Sequence, residues 1–410
     1  MNRIIVGLEL GTSKICAIVG EVSPTNAISI IGVGSTPSHG VRKGEVCNPP
    51  AAEEDIRKAL SEAENMANVE IRSAYLGVSG GHIRGFNNQG VHPVASAGRE
   101  ITEEDVQDVI KNAKAINLGQ DNVILHSVRQ HFTVNGQSGI KSPVGMCGAK
   151  VELEMHVVQG NLNRVQNPIR LVKGMQVEVE QVVFNGMASA LAVLTNEQKE
   201  TGALVIDIGG GTTEYLVYSG GVIKHSGVFA VGGDHVTNDL ACGLKIPMPR
   251  AEELKISEGV AIVDETVKGK LLTSESEVGI QSRPLSLEHL QRIMALRLEE
   301  IFQLIAQELS LLGLLDYIRA GVFLCGGGSR IRRIEELASA VFEMPAFRGR
   351  TNCVSGLKST LDHPEFITAI GLVKFGSMYQ RRPTPTGLIR KAWMNALGGL
   401  FNRNAPVESE

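Results

Sequence analysis

Two stretches of the chain, about half its length apart, share one pattern of apolar and polar positions. Residues 4–22 read IIVGLELGTSKICAIVGEV, and residues 203–221 read ALVIDIGGGTTEYLVYSGG. Each contains an apolar run with one acid (Glu9 or Asp207), then glycine with small hydroxyl residues, then a second apolar run. This order predicts a strand–loop–strand hairpin and not the strand–helix step of a Walker or Rossmann loop. The repeat therefore predicts two related lobes, each of which offers one loop to a ligand in the cleft between them.

Apolar residues at helical spacing predict further elements, with helices at 53–66, 102–116 and 288–312. The second of these begins with a capping box, which is a signature of a helix N-terminus. It lies among short β-type runs in the segment 85–162, after the first hairpin. We therefore expect this segment to be a subdomain inserted into the first lobe.

The loop of the second hairpin has the composition of a phosphate-binding loop. Glycines allow backbone N–H groups to approach an anion, threonine hydroxyls can donate to phosphate oxygens, and an acid at a strand end suits a hydrated divalent cation. The residues concerned are Asp207, Gly209, Gly210, Gly211, Thr212 and Thr213. A glycine-rich hairpin turn beside a solvated acid would give the same short pattern.

A third glycine cluster stands between an apolar strand and a helical pattern. Its residues are Gly326, Gly327, Gly328 and Ser329. A bare loop in this position can receive a planar base or a ribose as readily as a phosphate, although a tight strand–helix turn is the alternative. Upstream, Glu252 and Lys255 are neighbours on one face of a predicted helix. They could hydrogen-bond a ribose, or form only a surface ion pair.

Composition and charge exclude several classes of protein. The 410 residues include 40 Lys and Arg against 44 Asp and Glu, and the net charge of −4 gives no reason to expect nucleic-acid binding. The six cysteines are scattered without a C-x-x-C pair, which argues against a zinc site or a disulfide framework and fits a reducing cytosol. No secretory signal precedes the first strand, and no apolar run reaches the length of a transmembrane helix. We expect the body of the protein to be cytoplasmic.

The end of the chain differs in character from the body. A basic, proline-containing linker at 379–387 precedes LIRKAWMNALGGLF at 388–401, most of whose apolar side chains share one broad helical face. This segment is shorter than the roughly 20 residues that cross a bilayer, but it can lie in the interface. The predicted membrane-binding residues are Leu388, Ile389, Arg390, Lys391, Trp393, Leu397, Leu400 and Phe401. A terminal helix docked on the protein's own surface is the alternative.

Together these motifs resemble the FtsA family of bacterial cell-division proteins, within the actin/heat-shock-ATPase/sugar-kinase superfamily. The resemblance covers 4–376 and 388–401. It is carried by the two hairpins, by AEELK at 251–255, by CGGGSRI at 325–331 and by GIKSPVGMCGAKVELEMHVVQG at 139–160. It implies an α/β, actin-like two-lobe fold of duplicated ribonuclease-H-like domains, with an inserted α+β subdomain and a C-terminal amphipathic helix.

The resemblance further implies an ATP site with Mg²⁺ in the cleft between the lobes. The first phosphate loop would consist of Gly11, Thr12, Ser13 and Lys14. The second hairpin loop would bind the remaining phosphates, and Asp207 and Glu9 would reach Mg²⁺ through water. Glu252 and Lys255 would hold the ribose, and the loop at 326–329 would line the adenosine side. No catalytic residue is assigned.

The resemblance also implies partners and a division of the chain. Members of the family polymerise in actin-like fashion, and they tether the division-ring protein FtsZ to the cytoplasmic face of the inner membrane at the septum, with later divisome membrane proteins recruited afterwards. The tether to the anionic membrane surface would be the C-terminal helix, and the FtsZ C-terminal tail would dock on a small subdomain. The implied domains are a first lobe at 1–84 and 163–200, an inserted subdomain at 85–162, a second lobe at 201–225 and 301–378, and the small subdomain at 226–300.

One position bears on hydrolysis. Many ATPases of the superfamily offer an acid or an amide near the connection that reads VVFNGMASA here, and this chain supplies Asn185 and no carboxylate. An amide can orient a water molecule but cannot take its proton at neutral pH. We therefore expect ATP to act as a structural and polymerisation ligand, with hydrolysis slow or absent. Two other functions fit the same cleft, a PilM-like actin-fold adapter of pilus assembly and a small-molecule kinase of the sugar-kinase superfamily.

Overall fold

The computed structural model describes residues 2–94, 98–272, 284–352, 354–357 and 363–379. The predicted linker at 379–387 lies almost entirely, and the predicted helix at 388–401 entirely, outside these residues. Three sheets of six, four and five strands organise the described part of the chain, together with two small two-stranded sheets. Within that part, no helix combines the length and the apolar character needed to cross a bilayer.

The first lobe begins with three antiparallel strands and a long helix. Its helix α1 starts at the side chain of Asn48, which accepts a hydrogen bond from the Ala51 N–H, and its apolar face covers the sheet. The elements are β1 Arg3–Leu10, β2 Lys14–Val22, β3 Ile28–Pro37, β4 Val41–Arg42, β5 Glu45–Val46, α1 Pro49–Ala67 and β6 Ser73–Val78.

The inserted subdomain is a four-stranded sheet with one helix packed on it. The predicted capping box is confirmed, because the Thr102 hydroxyl accepts from the Asp105 N–H and the Asp105 carboxylate accepts from the Thr102 N–H. The strands lie in the order β7-β10-β8-β9. The elements are β7 Arg84–Pro93, α2 Glu103–Lys114, β8 Asn122–Val134, β9 Gln137–Ile140 and β10 Lys150–Asn161.

The chain then completes the first sheet and passes to the second lobe through a buried helix. All nine residues of α4 are buried, which suits a helix that is apolar on every side. One side of α4 packs on the second sheet and the other on the last helix of the chain. The elements are α3 Leu162–Gly174, β11 Glu178–Phe184, α4 Asn185–Val193 and α5 Asn196–Thr201.

The second lobe repeats the first sheet and adds a group of helices. Helices α6 to α9 cover the sheet face that is remote from α4. The elements are β12 Ala203–Ile208, β13 Thr213–Ser219, β14 Val222–Phe229, α6 Gly233–Leu244, α7 Met248–Glu258, β15 Leu271–Leu272, β16 Leu285–Ser286, α8 Leu287–Leu311, β17 Val322–Cys325, α9 Ile334–Phe342, β18 Ala346–Arg348, β19 Val354–Gly356 and α10 Ile367–Tyr379.

The two large sheets confirm the predicted repeat. The first has the order β11-β6-β1-β2-β3-β19, and the second has the order β14-β13-β12-β17-β18. In both, the acid-bearing strand pairs antiparallel with the next strand of its hairpin and parallel with a later strand, β6 or β17. The predicted α/β, two-lobe fold with an inserted subdomain is therefore present in the described residues.

The last part of the chain corrects the predicted division. β19 pairs parallel with β3 in the first sheet, and α10 packs against β1 of that sheet. Both elements therefore belong to the first lobe, although 301–378 was predicted to be part of the second. The apolar pattern of α10 shows that the helix is buried but does not identify which sheet covers it. The predicted boundaries at 225 and 300 also fall inside β14 and α8.

A buried polar network joins the inserted sheet to β14. The ring of His156 is fully buried, with Nδ1 2.8 Å from Asn87 Oδ1 and Nε2 2.8 Å from Ser226 Oγ. The Asn87 amide also donates to the backbone carbonyl of Lys224 at 3.0 Å. Burial lowers the pKa of His156 to about 3, so the ring is neutral at physiological pH.

This histidine should make stability depend on pH. The unfolded chain takes up a proton at His156 below the ordinary pKa of about 6.5, whereas the folded chain does not until about pH 3. Stability is therefore lost as the pH falls below about 6.5, at about 1.4 kcal/mol per pH unit. In urea unfolding at pH 7.5 and 5.5, His156→Gln should lose about 1 kcal/mol less than the unmodified chain.

The comparison between the two chains matters because Glu214 acts in the opposite direction. Burial and the charge of Asp207 raise the pKa of Glu214 to about 8, so acidification stabilises the folded state at that residue. Glu214 is present in the unmodified protein and in the His156→Gln variant, so its contribution cancels when the two are compared. Equal losses of unfolding free energy in the two chains would contradict a role for His156.

Candidate functional site

The loop of the first hairpin connects β1 to β2 in a tight turn. The Gly11 N–H donates to the Lys14 carbonyl at 3.0 Å, and the Thr12 hydroxyl accepts from the Gly44 N–H at 2.9 Å. Ser13 is exposed at the tip of the loop. The Lys14 ammonium lies 3.7 Å from the Glu9 carboxylate, so the first lobe offers a paired cation and acid beside its loop.

The loop of the second hairpin closes in the same way. The Gly209 N–H donates to the Thr212 carbonyl at 2.9 Å, which corresponds to the bond in the first loop. The Thr213 hydroxyl donates to the Val231 carbonyl at 2.8 Å, so this threonine is turned toward its own lobe. Asp207 precedes the loop and is buried.

The two loops, which come from different lobes, are in contact. A Cβ atom at Gly210 would lie 3.2 Å from the Cβ of Ser13, and one at Gly211 would lie 2.6 Å from the Thr12 hydroxyl. The second distance is shorter than real Cβ contacts, so a side chain at Gly211 would force the loops apart. The structure thus brings the two predicted phosphate loops together.

The third glycine loop reaches the same place through the pairing of β12 with β17. Gly326 has a φ of +78°, and a Cβ atom there would lie 2.2 Å from Asp207 Oδ1. The Ser329 hydroxyl is buried and donates to the Gly326 carbonyl at 2.8 Å, which fixes the loop. Gly327 differs from its neighbours. Among the described residues, no atom lies within 4 Å of the position that a Cβ atom of Gly327 would take.

The predicted ribose pair is joined to the second loop. The Lys255 ammonium lies 2.6 Å from the Glu252 carboxylate and donates to the Gly233 carbonyl at 3.2 Å. The Gly233 N–H in turn donates to the Gly209 carbonyl at 2.9 Å. The link runs through Gly233 at the start of α6, a residue outside the predicted site.

Glu214 is an acid of the site that sequence reasoning missed. It lies on β13 directly opposite Asp207, is buried, and accepts a hydrogen bond from the Ser79 hydroxyl. An acid inside the apolar run TEYLVYS was the available signal, the same signal that marked Asp207. Glu9 lies near enough for its charge, after burial and Asp207, to raise the pKa of Glu214 further.

Three acids of the site, Glu9, Asp207 and Glu214, are the residues beside which a divalent cation would be held. Burial raises the pKa of Glu9 and of Asp207, and burial together with the charge of Asp207 raises that of Glu214 to about 8, so a positive charge beside these acids would favour their ionised forms. Glu9 Oε2 is buried without a hydrogen-bond partner among the described residues. Over those same residues, no group of three His, Cys, Asp or Glu side chains could hold a metal ion directly. Contact between a cation and these acids through water stays a prediction.

Asn185 begins α4 and is 5% exposed. Within the described ranges its Oδ1 has no hydrogen-bond partner, and it faces Gly77, where a Cβ atom would lie 2.5 Å away. The predicted membrane-binding residues at 388–401 cannot be placed relative to this site, since they lie outside the described ranges.

Comparisons with known proteins give a consistent result. The family described as "Cell division protein FtsA" matches residues 204–371, and the one described as "SHS2 domain inserted in FTSA" matches residues 80–159. The chain is 36% identical to the cell division protein FtsA of Pseudomonas aeruginosa over 92% of its own length and 90% of that protein. It is 34% identical to that of Escherichia coli K12, with the same two coverages.

Solved structures show the same fold at lower identity. A PilM-PilN type IV pilus biogenesis complex has a TM-score of 0.65 at 17% identity and covers 91% of this chain and 98% of that one. MreB5 of Spiroplasma citri bound to ADP has a TM-score of 0.52 at 16% identity and covers 96% and 99%. A MamK double helical filament has a TM-score of 0.50 at 14% identity and covers 92% and 99%. These likenesses support the actin-like fold.

Proposed function

The chain belongs to the FtsA family of cell-division proteins, and from that premise we propose that it is an ATP-binding adapter that polymerises and tethers FtsZ to the cytoplasmic membrane. One observation carries the nucleotide part of the proposal. Glycine loops from both lobes touch at Gly211 and Thr12, and the third glycine loop lies against Asp207. Backbone N–H groups at such loops suit the phosphates of a nucleotide.

The residues present would divide the nucleotide between them. The first and second hairpin loops would hold the phosphates, Glu252 and Lys255 would hold the ribose, and Gly327, which faces open space, would leave room for the adenosine. Bound Mg²⁺ would supply positive charge between the phosphates and the acids. Asn185 can orient a water molecule but cannot accept its proton, so we expect slow hydrolysis or none.

We infer polymerisation and membrane recruitment from the membership of the chain in this family. The MamK structure is described as a filament, and the fold that it shares with this chain supports self-association of the two-lobe body. The basic amphipathic segment at 388–401 would bind anionic lipid at the division septum, and later divisome proteins would be recruited afterwards. The likeness to the PilM structure at 17% identity supports the fold, whereas the relatives at 34–36% identity support the cell-division role.

The FtsZ tail would dock on the small subdomain around α6 and α7. Ile256 on α7, within this subdomain, is 74% exposed, so its side chain is accessible to a peptide, and we propose it as one of the contacts. We predict that a fluorescent peptide of the FtsZ C-terminal tail binds the protein at micromolar concentration in an anisotropy titration. Ile256→Glu should weaken binding about tenfold, since burying one apolar side chain contributes about 1.5–3 kcal/mol.

Leu311→Glu is the matched control for the peptide experiment. Leu311 is 89% exposed at the far end of α8, beyond the small subdomain, so this variant should bind the tail as the unmodified protein does. A peptide of the same composition in scrambled order should not bind. If the FtsZ tail fails to bind at high micromolar concentration, the tethering role is wrong, and a pilus adapter or a kinase in the same fold has to be considered.

A further inference from the structure

The carboxylate of Asp207 is held by two hydroxyl groups that come from two different helices. Ser189 Oγ on α4 donates to Asp207 Oδ2 at 2.5 Å, and Thr368 Oγ1 on α10 donates to the same oxygen at 2.8 Å. The two hydroxyl oxygens lie 3.0 Å apart. All three side chains are buried, so the bonds are shielded from competing water.

Both helices lie where the lobes meet. α4 packs on the second sheet and on α10, and α10 packs on the first sheet. The helices cross very closely, because a Cβ atom at Gly371 would lie only 1.9 Å from the Ala188 carbonyl oxygen. The positions of Ser189 and Thr368 are therefore fixed by packing and not by a mobile loop.

The two oxygens of the Asp207 carboxylate have different surroundings. Oδ2 is used by the hydroxyls, whereas Oδ1 is directed toward the third loop, where the missing side chain of Gly326 leaves room for it. Hydrogen bonds to a buried carboxylate stabilise its ionised form, and here they oppose the rise in pKa that burial causes. An ionised and oriented Asp207 is what a hydrated cation in this cleft requires.

We propose that Ser189 and Thr368 are positioning residues that hold Asp207 in the orientation needed to bind the hydrated Mg²⁺ that accompanies ATP. The inference rests on the proposed nucleotide site. It adds that the two boundary helices hold the cation-binding acid. Neither hydroxyl has to touch the nucleotide.

The test measures the part of ATP affinity that depends on magnesium. ATP is titrated into the full-length protein in the presence of Mg²⁺ and again in EDTA, and the ratio of the two dissociation constants is compared between variants. Ser189→Ala and Thr368→Val, each made separately, should reduce this ratio about tenfold, because a hydrogen bond to a charged group is lost. Thr368→Ser should restore it, since the hydroxyl is kept.

Ser377→Ala is the matched control on α10. Its hydroxyl is buried and donates to the Lys374 carbonyl of the same helix, so its removal should leave the magnesium ratio unchanged. Variants that melt at a lower temperature but keep the ratio of the unmodified protein would show a merely structural role and overturn the inference. So would a Thr368→Ser variant as impaired as Thr368→Val. An unmodified protein that binds no ATP in either buffer would instead remove the proposed function.

Discussion

Replacing Asp207 with alanine is expected to reduce the affinity for Mg²⁺-ATP by about 100-fold, since charge-assisted contacts of a buried carboxylate are among the strongest single interactions. Asp207 stands at the point where the three glycine loops converge, beside Gly326 and opposite Glu214. Its loss removes one of the acids to which the hydrated cation would be bound. The measurement is a calorimetric or fluorescence titration of ATP in the presence of Mg²⁺.

A neutral variant of the same shape separates binding from folding. Asp207→Asn keeps an oxygen that can accept from Ser189 and Thr368 but removes the buried negative charge. Because an uncompensated buried charge is destabilising, this variant should unfold at the same temperature as the nucleotide-free protein or at a higher one. Asp316→Ala, at an exposed surface turn, should leave ATP affinity unchanged. If ATP affinity is unchanged in both Asp207 variants, the cleft is not the ATP site.

The hairpins and helix starts of this fold were predictable because short patterns of neighbouring residues determine them. The two hairpins follow from acid-bearing apolar runs around glycine, and the capping box of Thr102 and Asp105 follows from one tetrapeptide. That both hairpin loops face one cleft was also expected, since two related lobes present equivalent loops to it, but their direct contact was not predicted. The positions of Gly211 and Gly326 required the structure, because they depend on how β12 pairs with β17 and how the lobes meet.

The remaining parts depend on contacts between distant residues, which no local pattern contains. Ser189 and Thr368 are separated by 179 positions and look like ordinary small polar residues in apolar helices. The return of α10 to the first sheet was missed for a related reason. A helix that is apolar on all sides fits against either lobe, and its packing on β1, with a close backbone approach to Gly7, identifies the correct one.

Removing residues 388–401 is expected to abolish binding to anionic vesicles. The segment contains Trp393, the single tryptophan of the chain, and is flanked or interrupted by the basic residues Arg381, Arg382, Arg390, Lys391 and Arg403. Each basic residue near an anionic surface contributes about 1 kcal/mol, and the apolar face adds to this. In a sedimentation assay with vesicles that contain anionic phospholipid, the full chain should pellet and the chain that lacks residues 388–401 should remain in the supernatant.

Single substitutions distinguish binding by an amphipathic helix from nonspecific binding by an apolar, basic segment. At about 100° per residue, Leu397 falls within the apolar arc and Met394 falls outside it. Leu397→Glu should therefore weaken vesicle binding strongly, whereas Met394→Glu should have a much smaller effect. Less protein should pellet with neutral vesicles than with anionic ones. Added salt should weaken only the electrostatic contribution to vesicle binding. Equal losses from both substitutions would rule out the helical arrangement, and unchanged binding of the truncated chain would show that the body itself contacts the lipid.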